Sequence, residues 1–251
     1  MLSSGFLNRA TKLCATLNFA TQLSRYCFVG TSGKINNSTR VMSTGAKGLE
    51  EQPKVLSTGP LENGRWIQLR KINYRDPTGN ERAWEMAVRT TRSPDTEIDA
   101  VGIVAVLNRP SKPKEVVLTE QFRPPLGRKV IDFPAGLIDP NEKLEVTAVR
   151  ELKEETGYKG TFNKLSATYG VLANDPGMSN ATMALAVVDV DLNDPQNKNP
   201  IAELDEGEFI STFSVPLQGL LEHLHKLAQG GAVIDSRLYN FAMGLEVARS
   251  L

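Results

Sequence analysis

The sequence predicts a mixed α/β fold, one mixed sheet covered by helices on both faces. Two observations lead there. Strand-like segments lie both before and after a single embedded helical segment at 144–156, and two further helical segments, about 217–228 and 236–250, close the chain. That interleaving is the pattern of a sheet packed on both sides. No internal repeat is present.

The elements follow in order. RWIQLRKINY (65–74) and ERAWEMAVRTTR (81–92) read as strands, joined by RDPTGN (75–80), whose Pro77 and Gly79 suit a reversal. They predict a small antiparallel hairpin over 65–95, ahead of a larger domain at 96–251. AVGIVAVLN (100–108) and EVVLTEQF (115–122) are strands around a polar turn with Pro110 and Pro113. KVIDF (129–133) leads into PAG at 134–136 and then the helix. Strands at 165–172, 181–190 and 208–215 precede the two closing helices. Residues 42–64, rich in Gly, Ser, Lys and Glu, read as a linker.

The embedded helix poses a problem. Val146, Val149 and Leu152 form an apolar stripe at three-residue spacing. At about 100° per residue, Glu151, Glu154 and Glu155 fall together on the opposite side. Like charges at these spacings oppose the helix by about 0.2–0.5 kcal/mol per pair. The last turn before Gly157, a natural C-terminal cap, is also where the helix dipole disfavours carboxylates. The pattern calls for a positive charge brought to the site.

Composition narrows the chemistry. The 251 residues carry no net formal charge, but residues 1–49 hold six basic residues and no acid. The remainder has 23 basic against 29 acidic residues, a net of −6. Such a body lacks the basic footprint of a nucleic-acid binder. The acid-free, Ser- and Arg-containing start predicts a mitochondrial transit peptide without a fixed fold over 1–41. Met42 offers a second start, for a cytoplasmic or nuclear form. No apolar run approaches the roughly 18 residues of a membrane span. Both cysteines, Cys14 and Cys27, lie in the extension, so the body has no thiol for a disulfide, a metal or a nucleophile. The two histidines, His223 and His225, stand on different helix faces and read as surface residues. Acid–base and metal chemistry therefore falls to carboxylates, which suit Mg²⁺ or Mn²⁺.

Over 136–158 the chain reads Gly136, five residues, Glu142, seven residues, then Arg150-Glu151-Leu152-Lys153-Glu154-Glu155-Thr156-Gly157. This resembles the Nudix box of hydrolases acting on nucleoside diphosphate derivatives. It departs from the usual pattern at Tyr158, commonly aliphatic, and at Asn141, commonly glycine. The resemblance implies a Nudix αβα sandwich. It also implies Mg²⁺ (or Mn²⁺) held by Glu151, Glu155 and the backbone carbonyl of Ala135, with Glu154 in the catalytic cluster. Arg150 would orient the glutamates.

The likeness continues outside the box. DPTGNERAWE, EQFRPP, FPAGLID, EETGYKG and NDPGMSN are similar to the eukaryotic ADP-sugar pyrophosphatases, in which a downstream proline, here Pro176, marks the ADP-ribose branch. The resemblance implies hydrolysis of ADP-ribose to AMP and ribose 5-phosphate by a homodimer. Trp66 and Trp84 would sandwich adenine and Glu85 would contact it. Arg89 and Arg123 would hold phosphates, and Leu137 and Asp175 would line the ribose side. Glu208 would complete the metal site or act on the water, with Asp205 and Glu206 as near alternatives. Asp132 stands where relatives often carry glutamate. Two alternatives stand beside this reading: hydrolysis of another nucleoside diphosphate derivative, and a non-catalytic ADP-ribose sensor.

Overall fold

The computed structural model describes residues 53–59, 62, 64–164 and 170–251. The expected transit peptide, and residues 165–169 of one expected strand, lie outside them.

Strands β1 (Ile67–Arg75) and β2 (Glu81–Arg89) pair antiparallel as a separate two-stranded sheet, the expected hairpin. Its turn is held by Asp76, whose Oδ1 accepts from the backbone N–H groups of Thr78 and Asn80, both at 2.9 Å. Gly79 supplies the left-handed residue that the reversal requires (φ 88°).

The main sheet is built on β3 (Ala100–Asn108), β4 (Glu115–Arg123), β5 (Arg128–Asp132), β9 (Thr182–Asp191) and β10 (Ile210–Pro216). Four short strands complete it among the described residues: β6 (Ala135–Leu137), β7 (Thr161–Phe162), β8 (Leu172–Ala173) and β11 (Val233–Ile234). The sheet is mixed. β3 runs parallel to β9 and β5 to β11, while β4 is antiparallel to β3, β5 and β10. None of the four short strands is long enough to show a period of its own. Of the expected strand over 165–172, only Leu172 falls in a strand among the described residues.

Helices α1 (Leu144–Thr156), α2 (Leu220–Gln229) and α3 (Ser236–Ser250) cover the two faces. Alternation along β3 shows why. Val101, Ile103, Ala105 and Leu107 pack with Ala148 and Leu152 of α1. Val104 and Val106 point the other way, toward Leu220 and Leu224 of α2 and Leu238 and Ala242 of α3. A strand buried on both faces has to be apolar throughout, as AVGIVAVL is. No helix among the described residues is long and apolar enough to cross a membrane.

The face of α1 that enters the core differs from the expected one. Val146 is exposed, and the buried residues are Thr147, Ala148, Leu152, Glu155 and Thr156. Glu155, one turn beyond Leu152, therefore lies on the buried side and not opposite it. Gly157 ends the helix in the left-handed conformation (φ 74°), its N–H bonded to the Lys153 carbonyl, as expected of a C-terminal cap. Asn141 also has positive φ (64°). A short amide side chain tolerates that conformation, so asparagine serves where glycine is common. Tyr158 is buried in the α1 core.

Candidate active site

Arg150 organises the acidic helix. Its Nε and Nη2 donate to the two oxygens of Glu142 at 3.0 and 2.8 Å. Its Nη1 donates to Glu151 at 2.9 Å and to Glu154 at 2.8 Å. The Thr147 hydroxyl adds a bond to Glu142 at 2.7 Å. Arg150 holds the Glu142 carboxyl down at about 2, against an ordinary 4.5. Part of the positive charge that the acidic cluster calls for thus comes from the helix itself.

Glu155 is left out of that arrangement. It is 8% exposed and accepts a hydrogen bond from the Ala135 N–H at 3.0 Å. Burial pushes its carboxyl up to about 8, and the charges of Glu151 and Glu208 push the same way. Burial also raises Glu151, against the opposing charge of Arg150. Gly136 lies directly against Glu151, because a Cβ at that position would fall on the Glu151 carboxylate. β6 is held beside the helix through its pairing with β3, Gly136 opposite Val101. A carboxylate side chain can therefore rest on bare backbone next to the Ala135 carbonyl.

Oxygen donors without nitrogen or sulfur suit a hard divalent cation. The residues present fit one: mutually repelling carboxylates at half-buried Glu151 and buried Glu155, with Glu208 near enough for its charge to act on both. No three such side chains converge as a finished cage among the described residues, since Arg150 draws Glu151 and Glu154 to itself.

The loop after residue 200 brings Glu208. Its first half is fixed to the end of α1: the Glu203 N–H donates to the Glu154 carbonyl at 2.7 Å, and Lys153 pairs with Glu203 at 3.0 Å. Asp205 and Glu208 then close a turn, the Glu208 N–H donating to the Asp205 carbonyl at 3.0 Å. Both line a cavity of about 340 Å³ with Ala135, Leu137, Glu151 and Glu154. Glu206 does not line it.

A larger cavity, of about 870 Å³, shares Ala135, Gly136 and Leu137 with the smaller one. Arg89, Arg123 and Asp175 of the expected set line it, and its volume suits a small organic ligand. Pro176 lies in the turn beside this cavity. The 175–179 turn carries Asp175 into the cavity, and its backbone binds the hairpin: the Ala87 N–H donates to the Met178 carbonyl at 2.9 Å, and Trp84 Nε1 to the Gly177 carbonyl at 3.1 Å. Trp66, Trp84 and Glu85 line neither cavity within one chain. Trp66 is exposed beneath the Arg65 guanidinium, 4.4 Å from the ring centre.

Sequence reading missed a group on the far wall. Arg237 Nη2 donates to Asp132 and to Asp235, both at 2.7 Å. Burial pushes Asp132 up to about 6 although Arg237 opposes it. Burial acts on Asp235 too, but the bonds and charge of Arg237 outweigh it and hold that carboxyl low. In sequence, Asp235 before Ser236 signals only a helix start. Nothing local ties it to Asp132, a hundred residues earlier.

A carboxylate helix across one short strand from an arginine-walled cavity gives an α/β protein oxygen donors suited to a divalent cation beside guanidinium groups suited to phosphate. Comparison with known proteins names the class. The NUDIX domain model matches residues 96–236. The ADP-ribose pyrophosphatase of Saccharomyces cerevisiae is 42% identical over 84% of this chain and 90% of its own. The ADP-sugar pyrophosphatase of Mus musculus is 38% identical over 78% and 88%. An uncharacterised Nudix hydrolase of Schizosaccharomyces pombe is 44% identical over 78% and 94%. This chain belongs to the Nudix hydrolase family. Members of that family generally use divalent metal ions.

Proposed function

We propose that this chain hydrolyses ADP-ribose and related ADP-sugars, releasing AMP and ribose 5-phosphate from ADP-ribose. The observation that carries the reading is the pair of carboxylates, half-buried Glu151 and buried Glu155, facing the shared strand Ala135–Leu137, with Arg89 and Arg123 in the cavity beyond it. Similarity to the yeast and mouse enzymes supports the choice of substrate.

Glu151, Glu155, the Ala135 carbonyl and Glu208 would hold Mg²⁺, or Mn²⁺ in its place. When bound, the ion neutralises the diphosphate and lowers the pKa of an attacking water. Arg89 and Arg123 bind the phosphates, a task suited to guanidinium geometry. Arg150 keeps Glu142, Glu151 and Glu154 in position. Glu208 completes the ligand set or takes the proton of the water, and Leu137 and Asp175 border the ribose.

The same reading takes the chain as a homodimer. The hairpin leaves Trp66, Ile67, Leu69 and Trp84 exposed, an apolar set that a second copy would cover, with the tryptophans then stacking on adenine and Glu85 beside it. The basic, acid-free residues 1–41 direct the chain to mitochondria, and a start at Met42 gives a cytoplasmic or nuclear form.

The test is product analysis by chromatography on a panel of ADP-ribose, ADP-glucose, NADH, diadenosine polyphosphates and 8-oxo-dGDP, with and without Mg²⁺. Metal-dependent release of AMP and ribose 5-phosphate, fastest from ADP-ribose, is the expected result. Preference for another substrate overturns the specificity. Ligand binding without turnover turns the enzyme into a sensor.

A further inference from the structure

We propose that Asp132, Asp235 and Arg237 form the part of the cavity that receives the distal group of the substrate, and that they select an uncharged, polyhydroxylated group there. The proposal rests on the function given above and adds what decides among its substrates.

Two walls of the large cavity differ in charge. Arg89 and Arg123 come from β2 and the end of β4; Asp132, Asp235 and Arg237 come from the end of β5 and the start of α3. The first wall carries two guanidinium groups, suited to the diphosphate, and the charge of Arg123 also reaches Asp132. The second has one guanidinium against two carboxylates, a net negative charge. It borders the same open space, yet it opposes a phosphate.

Hydrogen-bond capacity points the same way. An ionised carboxylate offers about four acceptor positions. The Asp132 oxygens take the Phe133 N–H at 2.7 Å and Arg237 Nη2 at 2.7 Å. Asp235 takes the Arg237 N–H at 2.8 Å, and Nε and Nη2 at 2.7 Å each. Acceptor capacity remains on Asp132 in particular, and a sugar hydroxyl can fill it as donor. Arg237 is itself fixed, with Nη1 against Met183 Sδ at 2.9 Å, so the two carboxylates are presented at set positions. Ser236 and Asn240, exposed on the adjoining turn of α3, also line the cavity and add neutral polar groups. A rigid, hydroxyl-accepting, net-negative wall suits a free sugar and penalises a phosphorylated one.

The experiment compares kcat/KM for ADP-ribose with that for an ADP-ribose bearing a phosphate on the distal sugar. It uses the full chain and its Asp132→Asn/Asp235→Asn variant. The wild-type chain is expected to favour the unphosphorylated substrate. In the double variant Arg237 is left uncompensated, and the preference is expected to fall by about tenfold or more. Asp235→Asn alone keeps a side-chain acceptor for the helix start and is expected to shift the ratio less, in the same direction. Because both substrates meet the same preparation, loss of folded protein cancels from the ratio. A ratio unchanged within about twofold, in a chain that hydrolyses ADP-ribose, overturns this inference alone. Absence of turnover of any ADP-sugar by the wild-type chain overturns the underlying function and this inference with it.

Discussion

Replacing Arg150 by alanine tests whether the acidic helix carries its own counter-charge. The guanidinium makes four bonds to carboxylates, two to Glu142 and one each to Glu151 and Glu154, all between 2.8 and 3.0 Å. Lowering the Glu142 carboxyl from 4.5 to about 2 corresponds to about 3 kcal/mol at neutral pH. The Thr147 hydroxyl shares in that, which leaves roughly 2 kcal/mol to Arg150. Glu154, 40% exposed, adds little, and the less exposed Glu151 adds about 1 kcal/mol. Arg150→Ala is expected to lower stability by about 2–3 kcal/mol at pH 7 in EDTA. Because the folded state depresses the Glu142 pKa, its contribution is complete above 4.5 and is lost as pH falls toward 2. The penalty should therefore shrink to about 1 kcal/mol at pH 3. Urea unfolding at both pH values, at constant ionic strength, measures it. A penalty below about 0.5 kcal/mol at pH 7, or one that does not shrink at pH 3, would refute the assignment. Arg150→Lys should recover less than half, since an ammonium cannot reproduce the paired geometry on Glu142.

Two further outcomes follow from the same geometry. Gly136→Ala places a methyl group where the Glu151 carboxylate rests. Since that carboxylate is the end of a flexible side chain, the fold should survive while metal-dependent kcat/KM falls by at least about 10–100-fold; full activity with an unchanged melting temperature would show that Glu151 does not need this position. The second concerns Glu155, whose folded-state pKa is raised from 4.5 to about 8. The folded protein then binds an extra proton between those values, so in EDTA stability should decline as pH rises from about 5 to 8.5. Glu155→Gln should flatten that part of the decline and Mg²⁺ should reverse it in the wild type; the same slope in both proteins would place the titrating group elsewhere.

Much of this molecule is written in local pattern. The long apolar strand 100–108, the helix 144–156 with its terminating glycine, the hairpin turn and the spacing of the glutamates are all contained in segments of ten to twenty residues. Period and turn chemistry act at that range, so these features can be read without neighbours. The expectation for α1 went wrong where local pattern was ambiguous. Val146 and Val149 are apolar, but small Ala148 meets the sheet and Thr147 beside it is buried, and the burial of Glu155 follows from that rotation. Helix rotation is set by what the opposing strands can accept, and a helical wheel does not contain them. The short strands β6, β7, β8 and β11 exist only because longer strands offer them partners. The meeting of Asp132 with Arg237 and Asp235 depends likewise on β5 ending beside the first turn of α3. The types and spacing of the carboxylates announce a metal-ion chemistry; folding alone buries Glu155, leaves Arg150 on its neighbours, and so separates the carboxylate that Arg150 does not bind from those that it holds.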